Sequence, residues 1–86
     1  MKDKDYIVAN IHPFLFKQEV SVYQDGNCIK TIKCKLDDIE KTIVTLSDVY
    51  KINKINLVEK NEVYCLKIRD NLLTQYANKN LDIVMW

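Results

Sequence analysis

Residues 6–11 read Tyr-Ile-Val-Ala-Asn-Ile, and apolar side chains fall on both alternating faces of that stretch. A strand that is apolar front and back belongs in the middle of a sheet, so Tyr6 to Ile11 is expected to be a central strand. His12-Pro13 then interrupts it, because Pro has no N–H for the ladder. From Phe14 to Gln24 the pattern changes to alternation. Phe14, Phe16, Gln18, Val20 and Val22 hold one face, while Lys17, Glu19, Ser21 and Tyr23 hold the other. That period of two predicts a second strand with one wet side. Asp25-Gly26 supplies a tight hairpin turn. A third strand is predicted from Cys28 to Leu36, with Ile32, Cys34 and Leu36 inward and Thr31, Lys33 and Lys35 outward. Outward lysines suit a sheet edge.

Beyond Leu36 the apolar period lengthens. Ile39, Ile43, Leu46 and Tyr50 recur at helical spacing and predict a helix from Asp37 to Ile52. Asp37 is placed to cap it, with Glu40 three residues on as in a capping box, and Asn53 closes it. Lys54 to Glu59 reads as a short strand through Ile55, Leu57 and Val58. Glu62 to Asn78 reads as a second helix, with Asn61 as cap and Val63, Leu66, Leu72, Leu73 and Tyr76 as its buried stripe. Leu81 to Trp86 reads as a last strand. The predicted order is β-β-β-α-β-α-β, an α+β fold in a single domain spanning 1–86. Right-handed crossovers then imply a five-stranded mixed sheet of order 3-2-1-4-5 with both helices on one face.

This order of elements resembles the core of the ribonuclease H-like superfamily. The resemblance is one of topology over nearly the whole chain, without a shared sequence motif. In members that cut nucleic acid it implies an Asp in the middle of the first strand and a second carboxylate at the end of the fourth, with metal ions between them. Asn10 stands where the first carboxylate is wanted, and Glu59 stands at the end of the fourth strand. One carboxylate opposite an amide is a poor two-metal site, because too little negative charge faces the cations.

Composition narrows the function further. The chain has 86 residues, 48% of them hydrophobic, which is enough to build a core. Thirteen basic and 12 acidic residues leave a net charge of +1, without the basic excess of a nucleic-acid-binding domain. No apolar run approaches the ~20 residues of a membrane span, and the charged start of the chain does not read as a signal peptide. With an odd cysteine count, this points to reduced thiols and a cytoplasmic location. The bias towards Lys, Asn, Ile and Tyr fits a low-GC bacterium or one of its phages.

Candidate chemistry is sparse. Cys28, Cys34, Cys65 and His12 contain the donor types of a zinc site. Cys28 and Cys34 are six residues apart on one strand, however, about 20 Å by strand rise, and cannot share an ion. The cysteines are therefore expected to pack as small apolar side chains. His12 is the only His, so it is the only candidate base for a cysteine nucleophile, and no spacing places a thiol beside it. A single Gly excludes a glycine-rich phosphate loop. Lys17, Lys33 and Lys35 with Tyr23 form a basic patch on the hairpin. Glu19 interrupts it, and a solvated face is the expected reading. Asp37, Asp38, Asp48 and Asp70 read as surface and helix-end carboxylates.

The remaining signal is the sheet itself. Two helices cover one face, yet strands one and five are apolar on both. Ile7, Ala9 and Ile11 oppose Val8 in the first, and Leu81, Ile83 and Met85 oppose Val84 and Trp86 in the last. With no residues after Trp86 to supply a cover, the second face is expected to stay open and to meet another protein or a second copy. Tyr6, Phe14, Ile83, Met85 and Trp86 are the expected interface residues, aromatics and Met being enriched at such surfaces. The expected function is that of a small non-catalytic interaction protein without a cofactor. It would be a phage or prophage accessory protein that inhibits a host or defence enzyme or joins an assembly. The alternative is a degenerate metal-dependent nuclease using Glu59 with Asp82 or Asp5. Small-ligand binding at an oligomer interface is a third class with no residue speaking for it.

Overall fold

The computed structural model of the chain describes residues 4–12, 15–59 and 62–86, with the backbone alone at 59 and 62. Its strands are β1 (Tyr6–Ile11), β2 (Gln18–Gln24), β3 (Asn27–Cys34), β4 (Lys54–Glu59) and β5 (Asp82–Met85). Its helices are α1 (Ile39–Tyr50) and α2 (Glu62–Gln75), with short 3-10 turns at Leu36–Asp38 and Ala77–Lys79. The five strands form one mixed sheet of order β3-β2-β1-β4-β5, as the pattern predicted. β2 runs antiparallel to both neighbours, and β4 is parallel to β1 and to β5.

Register divides the sheet into two sides. Ile7 lies between Val22 and Ile55, and Ile55 lies beside Ile83; Ala9 lies between Val20 and Leu57. These residues and Ile11 join one buried cluster with Ile39, Ile43, Val44 and Leu46 of α1 and Cys65, Ile68 and Leu72 of α2. Both helices therefore pack on the same face, as right-handed crossovers require. The central place of β1 explains its continuous apolar run. Its odd residues enter this core, and Val8 faces the other side.

Element ends follow local hydrogen bonding more than hydrophobic period. β2 begins at Gln18, not at Phe14. Phe14 lies outside the described residues, and Phe16 is 77% exposed, not inward. The fully buried Gln18 amide organises the preceding connection. Its Oε1 accepts from the His12 N–H, and its Nε2 donates to the carbonyls of His12 at 2.8 Å and Leu15 at 3.2 Å. At the hairpin, Asp25 and Gly26 both take positive φ, 53° and 79°, the conformation that suits a two-residue β-turn. The Asp25 N–H donates to Asp5 Oδ1 at 3.0 Å.

Leu36 belongs to a 3-10 turn beyond β3, and α1 starts only at Ile39. The expected Asp37 cap is not formed. The N-cap position of α1 is Asp38, and it makes no side-chain cap bond. Glu40 instead accepts from Asn71 Nδ2 at 2.9 Å, tying α1 to α2. Lys51, not Asn53, ends α1, in left-handed conformation with its N–H bonded to the Ser47 carbonyl. Asn53 serves the sheet: its carbonyl accepts from the Asp82 N–H at 2.8 Å and its Nδ2 donates to the Asn80 carbonyl at 3.1 Å. α2 ends at Gln75, and its core stripe is Cys65, Ile68 and Leu72, with Tyr76 beside it. Val63, Leu66 and Leu73, expected inward, are exposed.

Candidate functional site

The side of the sheet away from the helices is built from the even residues of β1 and their neighbours. Cross-strand register sets them in three rows. Tyr23, Tyr6, Lys54 and Asp82 form the first. Thr31, Ser21, Val8, Asn56 and Val84 form the second. Lys33, Glu19, Asn10 and Val58 form the third. Alternation along β5 brings Trp86 to the same side. Both helices pack on the opposite side, and the β1–β2 connection (His12 and Leu15 to Lys17) borders the third row at Glu19 and Lys33.

Three aromatic rings organise the face. Tyr6 stacks on Tyr23 with centroids 5.0 Å apart and planes 14° from parallel. Trp86 meets the other flank of Tyr6 at 6.2 Å and a tilt of 58°. Tyr6 stands on β1 and Trp86 follows β5, so their contact spans β4. This self-covering explains why Val8 is only 7% exposed and Asn56 only 2%. The face is therefore less bare than its apolar residues alone suggested. Its centre is also part polar. Ser21 Oγ and Thr31 Oγ1 lie 3.0 Å apart in a hydrogen bond, and Asn56 Oδ1 is buried with no hydrogen-bond partner. Towards β5 the surface stays apolar and open, with Val84 39% and Trp86 63% exposed.

Two pairs of opposite charge stand at the rim. Lys33 is opposite Glu19 across β3 and β2, and Lys54 is opposite Asp82 across β4 and β5. The two pairs stand at diagonal corners. A shallow hollow beside the first corner is lined by His12, Leu15, Phe16 and Lys17 together with Glu19 and Lys33. The Lys35 ammonium lies 5.8 Å from the Phe16 ring centroid there, a cation–π contact.

Of the five expected interface residues, the structure brings only Tyr6 and Trp86 together. Ile83 and Met85 are corrections. Ile83 pairs with Ile55 and packs on the helix-side core, and Met85 pairs with Leu57 on that same side. Phe14 is outside the described residues. Tyr23 and Val84 were not among the expected interface residues, although alternation had put Tyr23 in phase with Ser21 and Val84 in phase with Trp86.

The metal-ligand candidates are spread out. Cys28 is exposed at the hairpin, with its Sγ 3.5 Å from Thr31 Oγ1. Cys34 lies opposite Gln18, and Cys65 is in the core. Among the described residues no three His, Cys, Asp or Glu side chains converge. Asn10 lies between Glu19 and Val58, while Glu59 is in register with Ile11, one residue further on. The side chain of Glu59 is outside the described residues. Asp5 is engaged with the hairpin, and Asp82 lies in the first row, at the opposite end of the strands from Asn10. Asp48 pairs with Lys79 at 3.0 Å and Asp70 with Arg69 at 3.3 Å, both on the surface. Among the described residues no helix is long and apolar enough to cross a membrane. Comparison with protein-family models, with curated proteins and with solved structures finds no match to this chain.

Proposed function

We propose that this chain is a non-catalytic protein-interaction module and that its open sheet face is the working surface. The observation that carries the reading is the aromatic strip Tyr23–Tyr6–Trp86, continued by exposed Val84, on the sheet face opposite the helices. Aromatic residues on a fixed backbone offer large contact area at low entropic cost, which is why they anchor protein interfaces. The same residue types can stack nucleic-acid bases, but that use needs a basic groove. Here Glu19 and Asp82 stand among the lysines, the whole chain carries a net charge of only +1, and Tyr6 and Tyr23 already spend ring faces on each other. A module of this kind acts by occupying another protein's surface, as an inhibitor or as a subunit of an assembly.

The test is site-specific photo-crosslinking with benzoylphenylalanine at position 84, and at position 49 on the outer side of α1 as a control. Val49 is also solvent-exposed. The expected result is a discrete protein adduct, to itself or to another chain, from position 84 and none from position 49. Equal labelling from both positions, or none from position 84, overturns the reading.

A further inference from the structure

The corner where the β1–β2 connection meets the end of β3 differs from the rest of the open side. A hollow of about 440 Å³ lies there, lined by His12, Leu15, Phe16, Lys17, Glu19 and Lys33. Lys35 joins it, because its ammonium stands over the Phe16 ring. Among the described side chains, three lysines against one glutamate leave an excess of two positive charges, in a chain whose net charge is only +1. The remainder of the molecule is therefore net negative, and positive charge is gathered at this corner. The next acidic residues along the chain serve elsewhere. Asp37 lines a separate hollow between the helices, and Asp38 holds the N-cap position of α1. Among the described residues, none of the three lysines is held in an ion pair.

The apolar part of the corner is fixed in place. Leu15 is 59% and Phe16 77% exposed. The buried Gln18 amide holds the turn that presents them, through the His12 N–H and the His12 and Leu15 carbonyls. Large apolar side chains held in water by a fixed turn, beside ammonium groups outside any ion pair, suit a ligand that is both apolar and acidic. Glu19 narrows the class. Its carboxylate is an acceptor set among the lysines. A polypeptide brings backbone N–H donors for it together with carboxylates for the lysines. The sugar-phosphate backbone of DNA brings acceptors alone, and a single strand needs a basic groove that follows several nucleotides, whereas these lysines occupy one corner.

We infer that this corner docks an acidic segment of a partner protein, with an apolar side chain packed on Leu15 and Phe16 and carboxylates meeting Lys17, Lys33 and Lys35. This rests on the reading of the chain as an interaction module and adds the chemistry of its partner. Lys33 and Glu19 also belong to the third row of the open face, so the corner is continuous with that surface.

Titration of the isotope-labelled full chain, followed by amide chemical shifts, tests this. The probes are a short peptide of Asp and Glu around two leucines, a twin with every acid replaced by Lys, and a short oligothymidine. The acidic peptide should shift the amides of residues 15–19 and 33–35 saturably below about 1 mM, and the twin should not. Lys17→Glu combined with Lys35→Glu should weaken binding about tenfold or more. Phe16→Ser, at an exposed position that leaves the core untouched, should weaken it about fivefold. The amide spectrum of each variant shows whether it is folded. No saturable shift at this corner, equal binding of the two peptides, unchanged binding by either folded variant, or tighter binding of the oligothymidine overturns the inference. If position 84 crosslinks and the acidic peptide does not bind, this inference fails alone. If the peptide binds and position 84 captures nothing, the corner stands and the open face falls. If neither occurs, both fail.

Discussion

Asn56 is the residue least at ease in its surroundings. It sits in the central row of the open face between Val8 and Val84, almost wholly buried, and its side-chain oxygen has no hydrogen-bond partner. A buried acceptor left unmade costs about 1–3 kcal/mol. Asn56→Leu keeps the branched arrangement of side-chain heavy atoms and removes the acceptor, so the chain should gain about 1 kcal/mol, read as a midpoint of thermal unfolding higher by roughly 4–8 °C. An unchanged or lowered midpoint would mean that the carboxamide is satisfied after all. Gln18 is the contrasting case. It is as deeply buried, but both ends of its amide are used, and together they hold the connection between β1 and β2. At this scale the sequence reading was weakest. Period-two alternation extended β2 back through Phe16 to Phe14, because alternation records apolar phase and is blind to a side chain that replaces ladder hydrogen bonds.

Individual elements were legible where one force dominated. β4 was placed at its observed ends because its apolar run is flanked on both sides by polar residues. β1 was recognised as central because its odd residues all enter the helix-side core while Val8 adds a buried apolar side chain on the other face. α2 was placed, but its buried stripe was misread. Cys65, Ile68, Leu72 and Tyr76 are spaced three, four and four residues apart and form one continuous line. Val63, Leu66 and Leu73 fall on the remaining surface. Counting large apolar residues favoured the second set, and Cys65, expected to pack as a small apolar side chain, was not counted in the stripe. The phase can be checked by paired truncations. Leu72→Ala should cost about 2–5 kcal/mol in urea denaturation, as for a fully buried Leu, whereas Leu73→Ala should cost less than about 1 kcal/mol. Equal losses would contradict the observed helix orientation. The same ambiguity explains Ile83 and Met85. Alternation along β5 tells which residues share a side, and only pairing with Ile55 and Leu57 tells which side meets the helices.

At the scale of the whole molecule, two helices and a five-stranded sheet leave one broad surface without a layer above it among the described residues. The chain offsets part of that exposure from within, through the contact of Tyr6, Tyr23 and Trp86, and it puts opposite charges at the corners. What remains open is concentrated around Val84 and Trp86, and the account rests on that surface being occupied when the protein works. Trp86 is the only tryptophan in the sequence, so its fluorescence reports on this face alone. The most direct measurement is its emission maximum and acrylamide quenching in the dilute free chain and in the complex that position 84 captures. An occupied face gives a readily quenched indole in the free chain, and a blue-shifted, shielded one in the complex. An indole equally exposed in both, in a chain that remains folded, would contradict this.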